Sequence, residues 1–515
     1  MAVSPHHLAS EAAVEVMRNG GSAADAVVAA NAVLGMVLPT TCGIGGDLFA
    51  IVHSPGWDAP RVLNASGRGG SGLDAEALRN AGHEGIPVRG VESITVPGCV
   101  DGWEALLERH GKMPLADLLE PAIAMGSEGF PVSAELASDL SRLQEALAGQ
   151  KSAPPLYPGG APPEPGATLR RPGLAATLAR IAESGRAGFY SGPVAAAVIG
   201  ATEGTLTSDD LEGNTPDWVD PIGARIFGLD AWTVPPNSQG YLTLAAAMLF
   251  EALEAPTDPE DPGFHHAVIE SYRAVAWERN DYVADPGHVP IPLDRLLDRD
   301  RLLERYDSIL ADAVADRPAS GPAPGGTAYF CAVDGEGMAV SCIQSNFYGI
   351  GTGISAGATG VFLHNRGAGF TLEPGHPNEA APGKRPLHTL APTLWTRDRD
   401  PALVLGTRGG HQQPQYLLQM TALMLSAGLP PEEAQAFPRW NDGRWRTGAP
   451  GSVVSVEAGM PEQVVAGLRS RGHVVDIGPE RPQGWGPVSL VAISADGTRT
   501  GAADPRVSSA SANGD

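Results

Sequence analysis

A threonine at position 327 stands where a Pro/Gly-rich run, Ser320-Gly321-Pro322-Ala323-Pro324-Gly325-Gly326, gives way to an alternating apolar segment, Ala328-Tyr329-Phe330-Cys331-Ala332-Val333. Proline and glycine at that density hold no regular structure, so the threonine opens a strand directly out of a linker. A cut between Gly326 and Thr327 would put a hydroxyl nucleophile and its own α-amine base on one residue, the threonine–amine arrangement of covalent catalysis. Glycine at 326 suits such a cut, because it tolerates the strained backbone from which the hydroxyl reaches its own preceding carbonyl.

A second candidate is Arg68, in the glycine loop Ser66-Gly67-Arg68-Gly69-Gly70 that ends a strand over Val62-Leu63-Asn64-Ala65. An arginine in such a loop is by default a solvated turn residue. The flanking glycines, however, let the backbone hold it inward, where its planar fork could receive a carboxylate. Other sets fall away. Gly43-Ile44-Gly45-Gly46 lacks the Lys-Ser/Thr of a phosphate loop and precedes a strand, and Gly349-Ile350-Gly351-Thr352-Gly353 has no helix after it. His265, His266 and Glu270 have a metal-like composition, but His266 and Glu270 are i,i+4 neighbours in a charged segment and the set reads as an exposed helix face. Neither a metal nor an organic cofactor is expected.

The elements around Thr327 follow from periodicity. Tyr329 to Val333 and Met338 to Ile343 flank Asp334-Gly335-Glu336-Gly337 and predict a hairpin with Thr327 at the tip of its first strand. Leu8 to Arg18 has helical spacing that stops at Gly20-Gly21, and Ser22 opens a second, almost wholly apolar helix through Leu34, which must be buried. Leu48 to Val52 reads as a core strand. Residues from Gln150 to Gly173 are thick with proline and glycine and read as a mobile surface excursion, with a linker about 313–326 and a disordered polar tail from Ser508 to Asp515.

Composition bounds the partners. The 515 residues carry 35 Lys and Arg against 59 Asp and Glu, a net charge of −24, which argues against nucleic acid or an anionic membrane and for a small-molecule partner. Hydrophobic content of 43% is that of a globular protein, and no run approaches a membrane span. The chain starts without a basic n-region and an apolar h-region, so a cytoplasmic location is expected. Cys42, Cys99, Cys331 and Cys342 lack metal or disulfide spacing and read as buried thiols.

Taken in order, these motifs resemble the γ-glutamyltransferase family of N-terminal-nucleophile hydrolases. The resemblance runs through Gly20-Gly21-Ser22-Ala23-Ala24-Asp25-Ala26, Gly43 to Asp47, Thr95-Val96-Pro97-Gly98, Gly129-Phe130-Pro131-Val132-Ser133, Val234 to Gly240, Pro382 to Leu387, Gly409-Gly410 and Asp504-Pro505-Arg506. It implies an α+β fold, a four-layer αββα sandwich whose precursor cuts itself into interlocked subunits, 1–326 and 327–515. It implies that Thr327 attacks the Gly326 carbonyl and then serves as nucleophile, with Ser345 as the supporting hydroxyl. Gly409 and Gly410 would supply the oxyanion hole, and Arg68 would grip the substrate carboxylate, with Asn365, Arg366, His388 and Thr389 as pocket groups.

The sequence also departs from the family. The aspartate that anchors the glutamyl ammonium has Ala368 or Gly369 in its place, and losing that partner costs about 2–5 kcal/mol in a desolvated site. His388-Thr389 replaces a pair of serines, and the asparagine that follows the second threonine is replaced by Phe347 or shifted to Asn346. The pattern around Asn365-Arg366-Gly367 and His376-Pro377-Asn378 is similar to the cephalosporin-acylase-like and oxamate-amidohydrolase-like branch. Hydrolysis of an amide with a carboxylate-bearing acyl group is therefore the leading expectation. The rival readings are C–C cleavage of an oxalyl-type group in an antibiotic pathway, true γ-glutamyl transfer, and a scaffold that never matures.

Overall fold

The hairpin strands Gly326–Val333 and Ala339–Phe347 divide their side chains between two cores, as a period of two requires. Ala328, Phe330, Ala332, Val340 and Cys342 face a helical layer. Tyr329, Cys331, Val333, Ala339 and Ile343 face a second sheet. The computed structural model describes residues 1–309, 313–314, 326–442, 453–482 and 484–514.

The hairpin lies at the centre of a seven-stranded antiparallel sheet, in the order Ser511–Asn513, Ala2–Ser4, Gly326–Val333, Ala339–Phe347, Asp47–His53, Arg61–Ala65, Asp217–Val219. Packed on it is a six-stranded sheet, Arg499–Ala503, Val488–Ile493, Asp400–Thr407, Thr393–Arg397, Leu229–Thr233, Ile222–Ile226. Helices including Ala23–Val37 and Cys99–His110 cover the first sheet, and Tyr241–Ala252, Pro262–Ala276 and Gln413–Thr421 cover the second. The result is the expected αββα sandwich. Ala23–Val37 is buried along its whole length, and Ser22 caps it through a capping box with Asp25.

Asp334 fixes the hairpin turn by accepting the amides of Glu336 and Met338 on one oxygen and that of Ala23 on the other, tying the turn to the start of the buried helix. The glycine run Gly43 to Gly46 serves close approach: a Cβ on Gly46 would fall 2.2 Å from the carbonyl oxygen of Ser345. All four cysteines are buried free thiols. Among the described residues no helix is long and apolar enough to cross a membrane.

Three expectations need correction. Helix Pro262–Ala276 buries His265, His266 and Glu270 instead of exposing them, because it is packed between Tyr241–Ala252 and Glu462–Ser470. His265 Nε2 donates to the Pro259 carbonyl at 2.7 Å, and Glu270 pairs with Arg273, which also reaches Asp442. The segment from Gln150 to Gly173 is anchored: Leu156, Tyr157 and Leu169 are buried, the Tyr157 hydroxyl donates to Leu140, and Thr168–Leu169 pairs with Phe130–Pro131. Its proline and glycine mark irregular backbone, and its few apolar side chains decide the packing. The tail forms the edge strand Ser511–Asn513 against Ala2–Ser4. Most of the linker, 315–325, lies outside the described residues, as does Asp515.

Candidate active site

Pairing along the hairpin is regular through Gln344 and Ala328 and then slips, so that Phe347 faces Gly326. A bulge of this kind re-aims side chains. Here it turns Ser345 onto Thr327. The Thr327 hydroxyl donates to Ser345 Oγ at 3.1 Å, the Phe347 amide donates to the same oxygen at 2.8 Å, and the Ser345 hydroxyl donates to the Gly326 carbonyl at 2.5 Å. With both lone pairs taken, the Ser345 proton has one direction left, toward the Gly326 carbonyl. Thr327 and Ser345 are both buried, at 2% and 0% exposure.

Phe347 reaches this position with φ of +74°, in the left-handed region that bulky residues avoid. Its ring lies under the Arg366 guanidinium, whose carbon is 3.8 Å from the ring centroid, and beside Tyr348. Arg366 is fully buried. It reaches Thr389 Oγ1 at 3.3 Å and Asp47 Oδ2 at 3.7 Å, and among the described residues its Nε and Nη2 have no hydrogen-bond partner. Burial pulls its ionisation down to about 10, opposed by the Asp47 carboxylate.

Asp47 is the cross-strand neighbour of Ser345, and sequence reading had given it no part beyond its motif. Its carboxylate accepts the Gly67 amide at 2.8 Å and His388 Nε2 at 2.9 Å, with His364 Nδ1 at 3.5 Å. Burial opposes this charge, but His364 and His388 outweigh it and hold the carboxyl below its usual range. His388 is pushed down to about 3, first by burial and then by Arg366, so its ring is neutral near pH 7. Both ring nitrogens are engaged, since Nδ1 accepts the Leu390 amide. Asn365 is similarly filled: Oδ1 accepts the Tyr348 amide, and Nδ2 donates to Val88 and Gly351.

Gly409 and Gly410 follow strand Asp400–Thr407 of the second sheet, with φ of +133° and +56°. Among the described residues neither amide N–H has an acceptor, which leaves both available to a developing oxyanion. The loop is latched from behind. Gln239 Nε2 donates to the carbonyls of Thr389 and Gly410, while Arg279 Nε donates to Gln239 Oε1 at 2.6 Å. The motif Val234 to Gly240 signalled this latch in the sequence, although its role became visible only with the fold.

Arg68 is placed elsewhere. It pairs with Asp217 at 3.1 Å and donates to the Thr215 carbonyl, with its side chain 31% exposed. Arg385 shares Asp217. Three strand spacings, roughly 14 Å, lie between the strand of Thr327 and the strand that leads to Arg68. The arginine beside Thr327 is Arg408, which sequence reading missed. It lines the small recess at Thr327 and also a cavity of about 510 Å³ that opens on Gly326 and Gly349, where it pairs with Glu135 at 2.5 Å. Its position directly before Gly409 was the available signal.

A profile of the family described as Gamma-glutamyltranspeptidase matches residues 9–514. The chain is 35% identical to the glutathione hydrolase-like YwrD proenzyme of Bacillus subtilis, over 98% of this chain and 97% of that one. It is also 35% identical to the oxamate amidohydrolase proenzyme of Klebsiella pneumoniae, over 99% and 98%. The crystal structure of a cephalosporin acylase from Bacillus halodurans superposes with a TM-score of 0.90 at 31% identity, over 99% of this chain and 94% of the other. Match along the whole sequence and agreement of the sandwich lead to one conclusion: the chain belongs to the γ-glutamyltranspeptidase family of N-terminal-nucleophile hydrolases, in the branch of these relatives.

Proposed function

We propose that the protein is a self-processing amidohydrolase that hydrolyses amides of a carboxylate-bearing acyl group through a threonyl acyl-enzyme. The observation that carries this reading is the hydrogen-bond run from the Thr327 hydroxyl through Ser345 to the carbonyl of Gly326. Attack of Thr327 Oγ1 on the Gly326 carbon passes the threonine proton to Ser345 and the serine proton to the carbonyl oxygen, which yields a neutral tetrahedral adduct. Collapse breaks the C–N bond, and the proton leaves with the new α-amine. Water then hydrolyses the ester to the Gly326 carboxylic acid and regenerates the Thr327 hydroxyl. The cut yields 1–326 and 327–515, which stay interlocked because Gly326–Val333 pairs with Ala2–Ser4. That relatives are named proenzymes supports the cut.

In turnover the free α-amine, which ordinarily titrates near about 8, takes the Thr327 proton as the hydroxyl attacks the substrate, and Gly409 and Gly410 stabilise the oxyanion. The ester of self-cleavage and the acyl-enzyme are the same functional group on the same oxygen. The cavity at Gly326 is therefore where the acyl group lies, and Arg408 in its wall is the cation that receives the acyl carboxylate. Arg408 carries Glu135 on one side of its guanidinium and lies at Thr327, whereas Arg68 lies three strands away and shapes the distant rim; Asn365, Arg366, His388 and Thr389 hold the nucleophile's surroundings in place without touching substrate. The name of the oxamate relative supports a short carboxylated acyl group. Amine release from oxamate and from glutaryl and γ-glutamyl anilides tests the reading. Turnover of at least one of these by the processed protein, lost when the acyl carboxylate is capped as a methyl ester, is the expected result. Equal turnover of capped and free acids would overturn it.

A further inference from the structure

Arg366 is buried at great disadvantage. Among the described residues its Nε and Nη2 lack hydrogen-bond partners, and its nearest carboxylate oxygen is 3.7 Å away, so its hydrogen bond to Thr389 does not account for a cation buried against Phe347. Its closest engagement is with the face of the Phe347 ring. Phe347 in turn holds a left-handed backbone that a phenylalanine does not adopt unless its surroundings impose it, and its amide is one of the two donors that orient Ser345. The run is continuous: Asp47 and Thr389 place Arg366, Arg366 clamps the ring, the ring fixes the backbone turn, and the turned amide aims Ser345 at the Gly326 carbonyl.

We infer that Arg366 is a positioning residue for self-cleavage: through the Phe347 ring it holds the Phe347 amide on Ser345, and so directs the Ser345 proton onto the scissile carbonyl. This rests on the proposal that Thr327 cuts the chain. It also gives a reason for Phe347: the ring is the surface on which the buried guanidinium bears.

Glycine adopts a φ of +74° without strain. If Arg366 acts by enforcing that conformation, glycine at 347 makes it dispensable. The test is a time course of intact mass for Arg366→Met, Phe347→Gly and the double variant, with thermal melting to verify that each chain is folded. Losing the aimed serine donor is comparable to losing an oxyanion donor, so Arg366→Met should slow cutting about 100-fold. Phe347→Gly should stay within about tenfold of wild type, and the double variant should match Phe347→Gly, since the strain to be held is gone. A double variant no faster than Arg366→Met, or Arg366→Met cutting at the wild-type rate, overturns the inference. Hydrogen exchange at the Phe347 amide provides a second readout that does not depend on cleavage. Protection lost in Arg366→Met supports the clamp even should the wild-type chain remain whole, which would refute only the self-cutting reading; protection retained refutes the clamp.

Discussion

Ser345 has one hydroxyl and three engagements, and each constrains the next. Removing it leaves the Gly326 carbonyl without its donor, so Ser345→Ala should slow self-cleavage by about 100-fold or more, while Ser345→Thr, which keeps the hydroxyl, should cut within about tenfold of wild type. A wild-type rate in Ser345→Ala, read by intact mass, would remove Ser345 from the mechanism. The two arginines can be separated in the same way. Arg408→Met should raise KM for a carboxylated acyl amide by about 30-fold or more and leave its methyl ester unaffected, since truncating one partner of a buried charge contact costs about 2–5 kcal/mol. Arg68→Met removes a half-exposed pair and should change KM less than about threefold. The reverse ranking would return the carboxylate to Arg68. The sequence made Arg68 attractive because glycines on both sides leave its direction open. Only the fold shows that Asp217, more than a hundred residues on, captures it.

At the scale of elements, what was legible in the sequence is what period and punctuation determine locally. The hairpin, the capped apolar helix after Ser22 and the core strand at Asp47–His53 all follow from alternation, caps and glycines. The bulge did not, because one extra residue in a strand leaves alternation nearly intact while it changes which side chains meet. The helix at Pro262–Ala276 misled for another reason: its charged residues are neutralised by Asp442 and other partners remote in sequence, so a polar stripe became a buried one. The Gly409–Gly410 loop is likewise set by a distant element. Gln239 lies in the turn between a strand of the second sheet and helix Tyr241–Ala252, and its amide joins Thr389 to Gly410. If the loop is the oxyanion hole proposed above, it donates chiefly to the transition state, and Gln239→Ala should lower kcat about tenfold or more with little change in KM. A rise in KM with unchanged kcat would place the latch in substrate binding instead.

The molecule is built on two large packed sheets, with Thr327 at the start of a strand of one and the Gly409–Gly410 loop after a strand of the other, and its buried histidines make it sensitive to acid. His6, His110 and His265 are pushed down to about 4 and His388 to about 3, in each case chiefly by burial. Their pKa values when folded lie below the unfolded value of about 6.5, so the unfolded chain binds more protons between those limits. Stability from these groups is thus present above pH about 6.5 and lost as pH falls toward 4. The melting temperature should fall steadily from pH 7 to pH 4.5; a flat profile would mean that the rings are protonated without penalty. Interlocking of the strands carries the central claim, because a chain cut at Gly326 must remain one body. The most direct measurement is intact mass, with gel filtration, of the wild type beside Thr327→Ala. The account predicts two wild-type fragments that elute together, the smaller beginning at Thr327, and an uncut mutant; an uncut wild type, or a cut that persists in the mutant, would contradict it.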